Sequence, residues 1–189
     1  MLRTLRLSKD PRRPESGSRL TMATVIRTGA LVAVAGGALR VAASFAPIVI
    51  GSELLRESLY VAVDACIAVG LLAFYSQRSE GLGRWGSLGL AVALVGIVTV
   101  RANRLISVAD LYPAGALAIA CGVMILTIRA WIVKRIHGWI PAAFTFSTLV
   151  GVVGNAVQGA DVLFVCSGVM FGIAFAGLGF ETWISASGR

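Results

Sequence analysis

Charged side chains almost vanish between Thr24 and Trp183, where long apolar stretches are broken at fairly regular intervals by short polar clusters. This spacing limits the available folds more than any other feature of the chain. A span of about 20 apolar residues is the length of helix that crosses a hydrocarbon core. Charged residues make up 14% of the sequence, against about 25% in typical soluble domains. Apolar residues make up 57%, and the mean hydropathy is +0.85. Too few polar side chains are present to coat a soluble domain of this size.

The runs exceed the ~10 alternating residues of a barrel strand, and they do not alternate. In lipid, a helix satisfies its own backbone amides. The expected fold is therefore all-α: a polytopic integral membrane protein built as a bundle of six transmembrane helices. The spans fall at about residues 24–46, 54–75, 85–104, 108–128, 139–158 and 161–183, in a domain covering residues 23–185. The third is clearly apolar only to Val100, and its helix is expected to continue through Arg101 and Arg104 to about Ser107. Pro113 lies in the first turns of the fourth span, where proline is tolerated. The first run is longer than the ~7–15 apolar residues of a signal peptide, so it is read as a retained span. Residues 1–22 form a basic tail with Pro and Ser that cannot bury a core and is expected to be disordered.

The net charge of +8 does not point to nucleic acid, because the basic residues sit at the ends of apolar runs and in the tail. Six spans place both termini on one side, together with the 77–84 and 129–137 connections. That side then carries a balance of +9 and the other −1, which together give the total of +8. Lys and Arg accumulate in cytoplasmic segments, so both termini are expected in the cytoplasm. Trp85, Trp131, Trp139 and Trp183 all fall at span ends on that same side, the depth that Trp favours. Compactness and the lack of organelle signals make a bacterial inner membrane the expected location.

Gly29-Ala30-Leu31 with Gly36 in the first span matches Gly115-Ala116-Leu117 with Gly122 in the fourth. Such a repeat would divide the protein into two three-helix halves, the second inverted in the membrane, as in some transporters.

Charges within lipid are costly and usually face the bundle interior or water. The second span carries the clearest set. Glu53, Glu57, Tyr60 and Asp64 recur at helical spacing on one face. Asp64 lies about 15 Å along the helix from Glu53, at ~1.5 Å per residue. Arg40 in the first span and Arg101 and Arg104 in the third are expected partners at similar depth. Together they predict an outward-facing polar pocket for small-solute or proton-linked binding and transport. Alternatively, these charges are ion pairs holding helices together, and the chain is a non-catalytic accessory or scaffold subunit packing against partner helices. Asn155, on a face with Thr148, Gly151 and Gly159, is a candidate to hydrogen-bond across helices, although the preferred reading of that face is close packing through its small residues. Gly168 and Gly172 form a GxxxG match that signals helix contact.

Cys66, Cys121 and Cys166 are scattered inside apolar runs and are read as packing residues. With a single histidine, His137, no histidine metal cluster or bis-histidine haem site is expected. No Walker A or GxSxG sequence is present, so the reading leans away from an enzyme, and no cofactor is expected. The expected partner is the lipid bilayer; the basic tail is read first as setting topology, with anionic head groups as the alternative partner there, and the Gly-rich faces are candidate contacts for helices of a second copy or another protein.

Overall fold

Each apolar run folds as a helix, and among the described residues there is no strand. The computed structural model describes residues 16–103, 111–157 and 161–187, with side chains described from residue 24 onward. The helices are α1 (Ser16–Ser44), the single-turn α2 (Ala46–Val49), α3 (Glu53–Ala102), α4 (Tyr112–Ile132), α5 (Trp139–Ala156) and α6 (Asp161–Ser187). All except α2 are long and apolar enough to cross a membrane.

The 50-residue α3 is not one straight rod. Its backbone breaks at Gly83, with φ 58° and ψ −158°, a conformation that only glycine adopts without strain. Asp64 and Arg101 lie on opposite sides of this break, at nearly the same distance from it, and touch each other. A straight helix would hold them about 55 Å apart, at ~1.5 Å per residue. The chain therefore doubles back, and α3 is a helical hairpin with two limbs.

Several boundaries differ from expectation. The 77–84 segment is not an open loop: helix continues to Leu82 and resumes at Arg84, so the turn is confined to Gly83. Helix α1 begins at Ser16, inside the segment expected to be disordered. The second limb of α3 ends at Ala102, with Asn103 as its cap. Arg104 and Ser107 lie outside the described residues, as do the first 15 residues of the tail. Pro113 sits in the first turn of α4, as its fixed φ requires. Helix α2, with Pro47 in its first turn, fills a connection expected to be irregular.

Glycine decides how the rods pack. On α1 and α6, a Cβ placed on Gly37 would stand 2.5 Å from both Gly172 O and Ala176 N. On α6, a Cβ at Gly179 would stand 2.7 Å from Val34 N and 2.9 Å from Ala30 O. The second limb of α3 meets α4 in the same way. A Cβ on Gly122 would run into Ala93 N and stand 2.6 Å from Gly89 O, and one on Gly96 would stand 2.6 Å from Ile119 N and 2.7 Å from Gly115 O. In both seams backbone lies on backbone, a distance that small residues alone permit.

These two seams correspond residue for residue. A shift of 85 positions carries Ala30, Val34, Gly37 and Val41 of α1 onto Gly115, Ile119, Gly122 and Leu126 of α4. A shift of 83 positions carries Gly89, Ala93 and Gly96 onto Gly172, Ala176 and Gly179. The Gly29 to Gly115 and Gly36 to Gly122 matching is therefore one residue out. Gly29 and Gly36 face the first limb of α3, against Ala73 and Cys66, not α6. Their counterparts under the 85-residue shift are Ala114 and Cys121, which carry side chains. Accordingly α3 packs closely on α1, whereas α5 leans on α6 and touches α4 little.

The bulky core is displaced toward one end. Phe74, Leu82, Leu126, Ile140, Phe144, Phe175 and Leu178 are fully buried, and all lie in the helix halves nearest the Gly83 turn and the α4–α5 turn. Phe171 bridges Phe144, edge-on at 5.1 Å, and Phe175, stacked at 6.3 Å. Large apolar side chains such as Leu72, Val98, Leu117, Phe146 and Ile173 point outward along the helices. Gly122→Val is expected to lower the thermal unfolding temperature in detergent sharply, since overpacking costs about 1–3 kcal/mol or more when backbone must move. Gly51→Ala, where an added Cβ meets nothing within 4 Å, should leave that temperature unchanged.

Candidate functional site

The helix ends sort into two groups. At one end stand the Gly83 turn, the α4–α5 turn and the C-terminal turns of α6. Arg129 Nε donates to Leu82 O at 3.4 Å, and Arg27 of α1 donates to Ala186 O at 3.3 Å, tying these segments together. With Arg78, Arg84, Lys134 and Arg135 also there, this is a basic end, and all four tryptophans gather at it, exposed. The opposite end is mixed in charge, with Arg40, Glu53, Glu57, Asp64, Arg101 and Asp161.

The candidate cluster lies at the mixed end, inside the α3 hairpin. Helical spacing puts Glu57, Tyr60 and Asp64 on one face of the first limb, and the fold-back at Gly83 brings Arg101 of the second limb against them. Arg101 donates from Nε to Asp64 Oδ2 at 2.6 Å, and its Nη2 pairs with the same oxygen. Its Nη1 reaches Glu57 Oε2 at 3.8 Å. One guanidinium thus serves two carboxylates. Tyr60 sits among Arg40, Arg56, Glu57 and Tyr112, and the charge of Arg40 is felt at both Tyr60 and Asp64. Gly168 of α6 leaves room for Arg40: a Cβ there would stand 3.4 Å from Arg40 Nη2 and run into Ser44 Oγ.

The pair is only partly shielded. The side chains of Asp64, Glu57 and Arg101 keep 16%, 20% and 29% of their surface accessible. Around them the buried residues are mostly small or medium, such as Ala43, Ser44, Ala46 and Val63. The aromatic packing that closes the basic end does not extend here.

Of the residues anticipated from sequence, Arg40, Glu57, Tyr60, Asp64 and Arg101 come together. Arg104 lies outside the described residues. Asn155 is a correction: it stands exposed in the last turn of α5 and, among the described residues, makes no hydrogen bond across helices. The α5–α6 seam runs instead along Ser147, Gly151 and Gly154. Ser147 and Ser167 each donate to the other's carbonyl at 2.8 Å. Asn155 follows Gly154 directly, which turns it by ~100° away from that seam.

A second polar group at the basic end was not anticipated. Arg78 is buried, at 6% exposure. Its Nη1 donates to Thr182 Oγ1 at 3.3 Å, and its Nη2 donates to Glu181 O at 3.3 Å and Ser185 Oγ at 2.9 Å. The guanidinium also lies 4.7 Å from the centre of the Phe74 ring. Gln77 Nε2 donates to Thr182 O at 3.2 Å, leaving Gln77 Oε1 buried without a partner among the described residues. His137 pairs with Glu181 beside them. The partners lie more than 100 residues away in sequence, and only the two glycines after Arg78 hinted that its helix would end against another.

Fold and cluster together define the class: an all-helical protein with five helices of membrane-crossing length and a charged cluster inside one hairpin. Compared with known proteins, the chain matches no family model, no curated protein and no solved structure. Among the described residues no group of His, Cys, Asp and Glu is arranged to hold a metal ion.

Breaking a buried ion pair costs about 3–5 kcal/mol, and an exposed one about 0–1. For this partly shielded pair, Asp64→Asn and Arg101→Gln are each expected to destabilise by about 1–3 kcal/mol. The double variant should lose less than the two losses combined, because the second change removes an already orphaned charge. Unfolding of all four proteins in the same detergent provides the check.

Proposed function

We propose that the chain is an integral membrane protein of six spans, arranged as two inverted three-helix halves. Six rods follow from counting the α3 hairpin as two. The inverted relation is supported by the paired glycine seams: α1 runs antiparallel to the first limb of α3, which runs parallel to α4. A two-fold rotation about an axis in the membrane plane carries one seam onto the other. The basic end faces the cytoplasm, as the positive-inside rule requires, and carries both termini. A bacterial inner membrane is the natural setting for this arrangement.

Within that frame, Glu57, Tyr60, Asp64, Arg40 and Arg101 form a polar pocket opening to the opposite side. It binds a small solute or passes protons during transport. The observation that carries this reading is the partly accessible Asp64–Arg101 pair inside the α3 hairpin, at the end of the bundle that the aromatic core does not reach. A carboxylate held by an arginine that also serves Glu57 can exchange partners with an incoming cation, proton or anionic group without leaving a bare charge in lipid. A second reading has its own support, because Arg101 clips the two limbs of α3 together. On that reading the cluster is structural and the chain is an accessory subunit.

Flux measurements in liposomes separate the two. Asp64→Asn is expected to abolish proton or solute flux while circular dichroism still reports a folded helical protein. Unchanged flux in this variant would remove Asp64 from the mechanism, and a wild type that carries nothing would favour the accessory role. Sidedness has its own test. A cysteine replacing Lys134 should react with a membrane-impermeant maleimide only after intact cells are permeabilised, whereas one replacing Ser52 should react at once.

A further inference from the structure

The turn between α4 and α5 borders an open groove of about 480 Å³ at the basic end, apart from the Asp64 cluster. Trp131, Lys134, Arg135, Ile136, His137 and Glu181 line it. Two features make it more than a gap between loops. Lys134 holds a left-handed backbone, φ 56°, which is costly for a residue with a Cβ and fixes the turn in a tight form. That form is closed by two backbone hydrogen bonds, Lys134 N to Trp131 O and Arg135 N to Ala130 O, both at 2.8 Å. The Arg135 guanidinium lies against Gly81 of the neighbouring hairpin, its Nε 3.5 Å from where a Cβ would stand, which is ordinary packing distance.

The electrostatics of the groove favour an anion. Lys134 and Arg135 are exposed cations. The one carboxylate in the lining, Glu181, is already paired with His137. Trp131 and Trp139 flank the turn, 52% and 48% exposed, and Ile132 beside them is 59% exposed. Indoles of this kind sit at head-group depth, and the exposed apolar side chains continue from the groove along the flanks of the helices.

On the membrane reading proposed above, we propose that this groove binds the phosphate of an anionic phospholipid from the cytoplasmic leaflet. Lys134 and Arg135 hold the phosphate, Trp131 marks the boundary of the head group, and the acyl chains lie against the apolar flank. Basic pockets between helices on the cytoplasmic side are the recurrent form of such sites. A free phosphate satisfies the same cations, but the apolar margin favours a ligand with a tail. The site uses none of the basic residues of the N-terminal tail.

The test is native mass spectrometry of the full chain released from detergent after incubation with phosphatidylglycerol or phosphatidylcholine. Phosphatidylglycerol is expected to remain bound at least about 5-fold more often. The Lys134→Asn, Arg135→Gln double variant should lose that preference, while an Arg12→Gln, Arg13→Gln variant in the tail should keep it. Asn is chosen at 134 because it tolerates the left-handed backbone, and both side chains are exposed, so the unfolding temperature should hold. Equal retention of the two lipids, or a preference that survives in the double variant, would overturn the assignment. Inorganic phosphate binding as tightly as phosphatidylglycerol would also overturn it, by making the ligand a soluble anion. A wild type that stays folded and monodisperse without detergent would instead refute the membrane reading itself, whichever lipid it retained.

Discussion

Everything in this bundle rests on four rods approaching until their backbones touch. In lipid there is no hydrophobic drive to press helices together, so contact has to come from packing and weak polar interactions. Glycines spaced by seven, at 89 and 96, 115 and 122, 172 and 179, provide a smooth strip along one side of three of the rods, and Ala30 with Gly37 do so on α1. Dispersion then acts over the whole strip, and carbonyls come within reach of Cα–H groups.

Polar residues are placed around these strips with a clear division of labour. At the basic end, Arg78 is held by hydroxyls and carbonyls of α6 and roofed by Phe74, so its charge is spread over several acceptors. At the mixed end, the charges answer one another directly and keep a minor part of their side-chain surface accessible. The first arrangement suits a fixed joint. The second suits a group whose partners change, because a partly accessible ion pair resists separation less than a dry one.

Much of this was legible in the sequence, for identifiable reasons. Helix positions followed from runs too long and too apolar for anything else. The grouping of basic turns at one end followed from charge counting, and the meeting of Asp64 with Arg101 from depth and helical periodicity. The remainder depended on geometry that local patterns do not carry. The helical residues 77–82 before Gly83 read as a loop because they are mostly polar, yet they pack Arg78 and Leu82 inward. The repeat was visible, but the Gly29 and Gly36 face was mistaken for the Gly37 face, since two adjacent glycines leave the side of a helix undecided. Asn155 looked like a bridging group because polarity alone does not tell which side of α5 meets α6.

That ambiguity at Gly36 and Gly37 has a consequence of its own. Helix α1 is bare on two sides and is gripped on both. Helix α4, with Ala114 and Cys121 where its counterpart is bare, is gripped on one. The near-symmetry therefore fails at a single place, leaving α5 anchored along one edge. A rod fastened along one edge has fewer contacts to break than one gripped on two sides, and neither glycine seam runs through it.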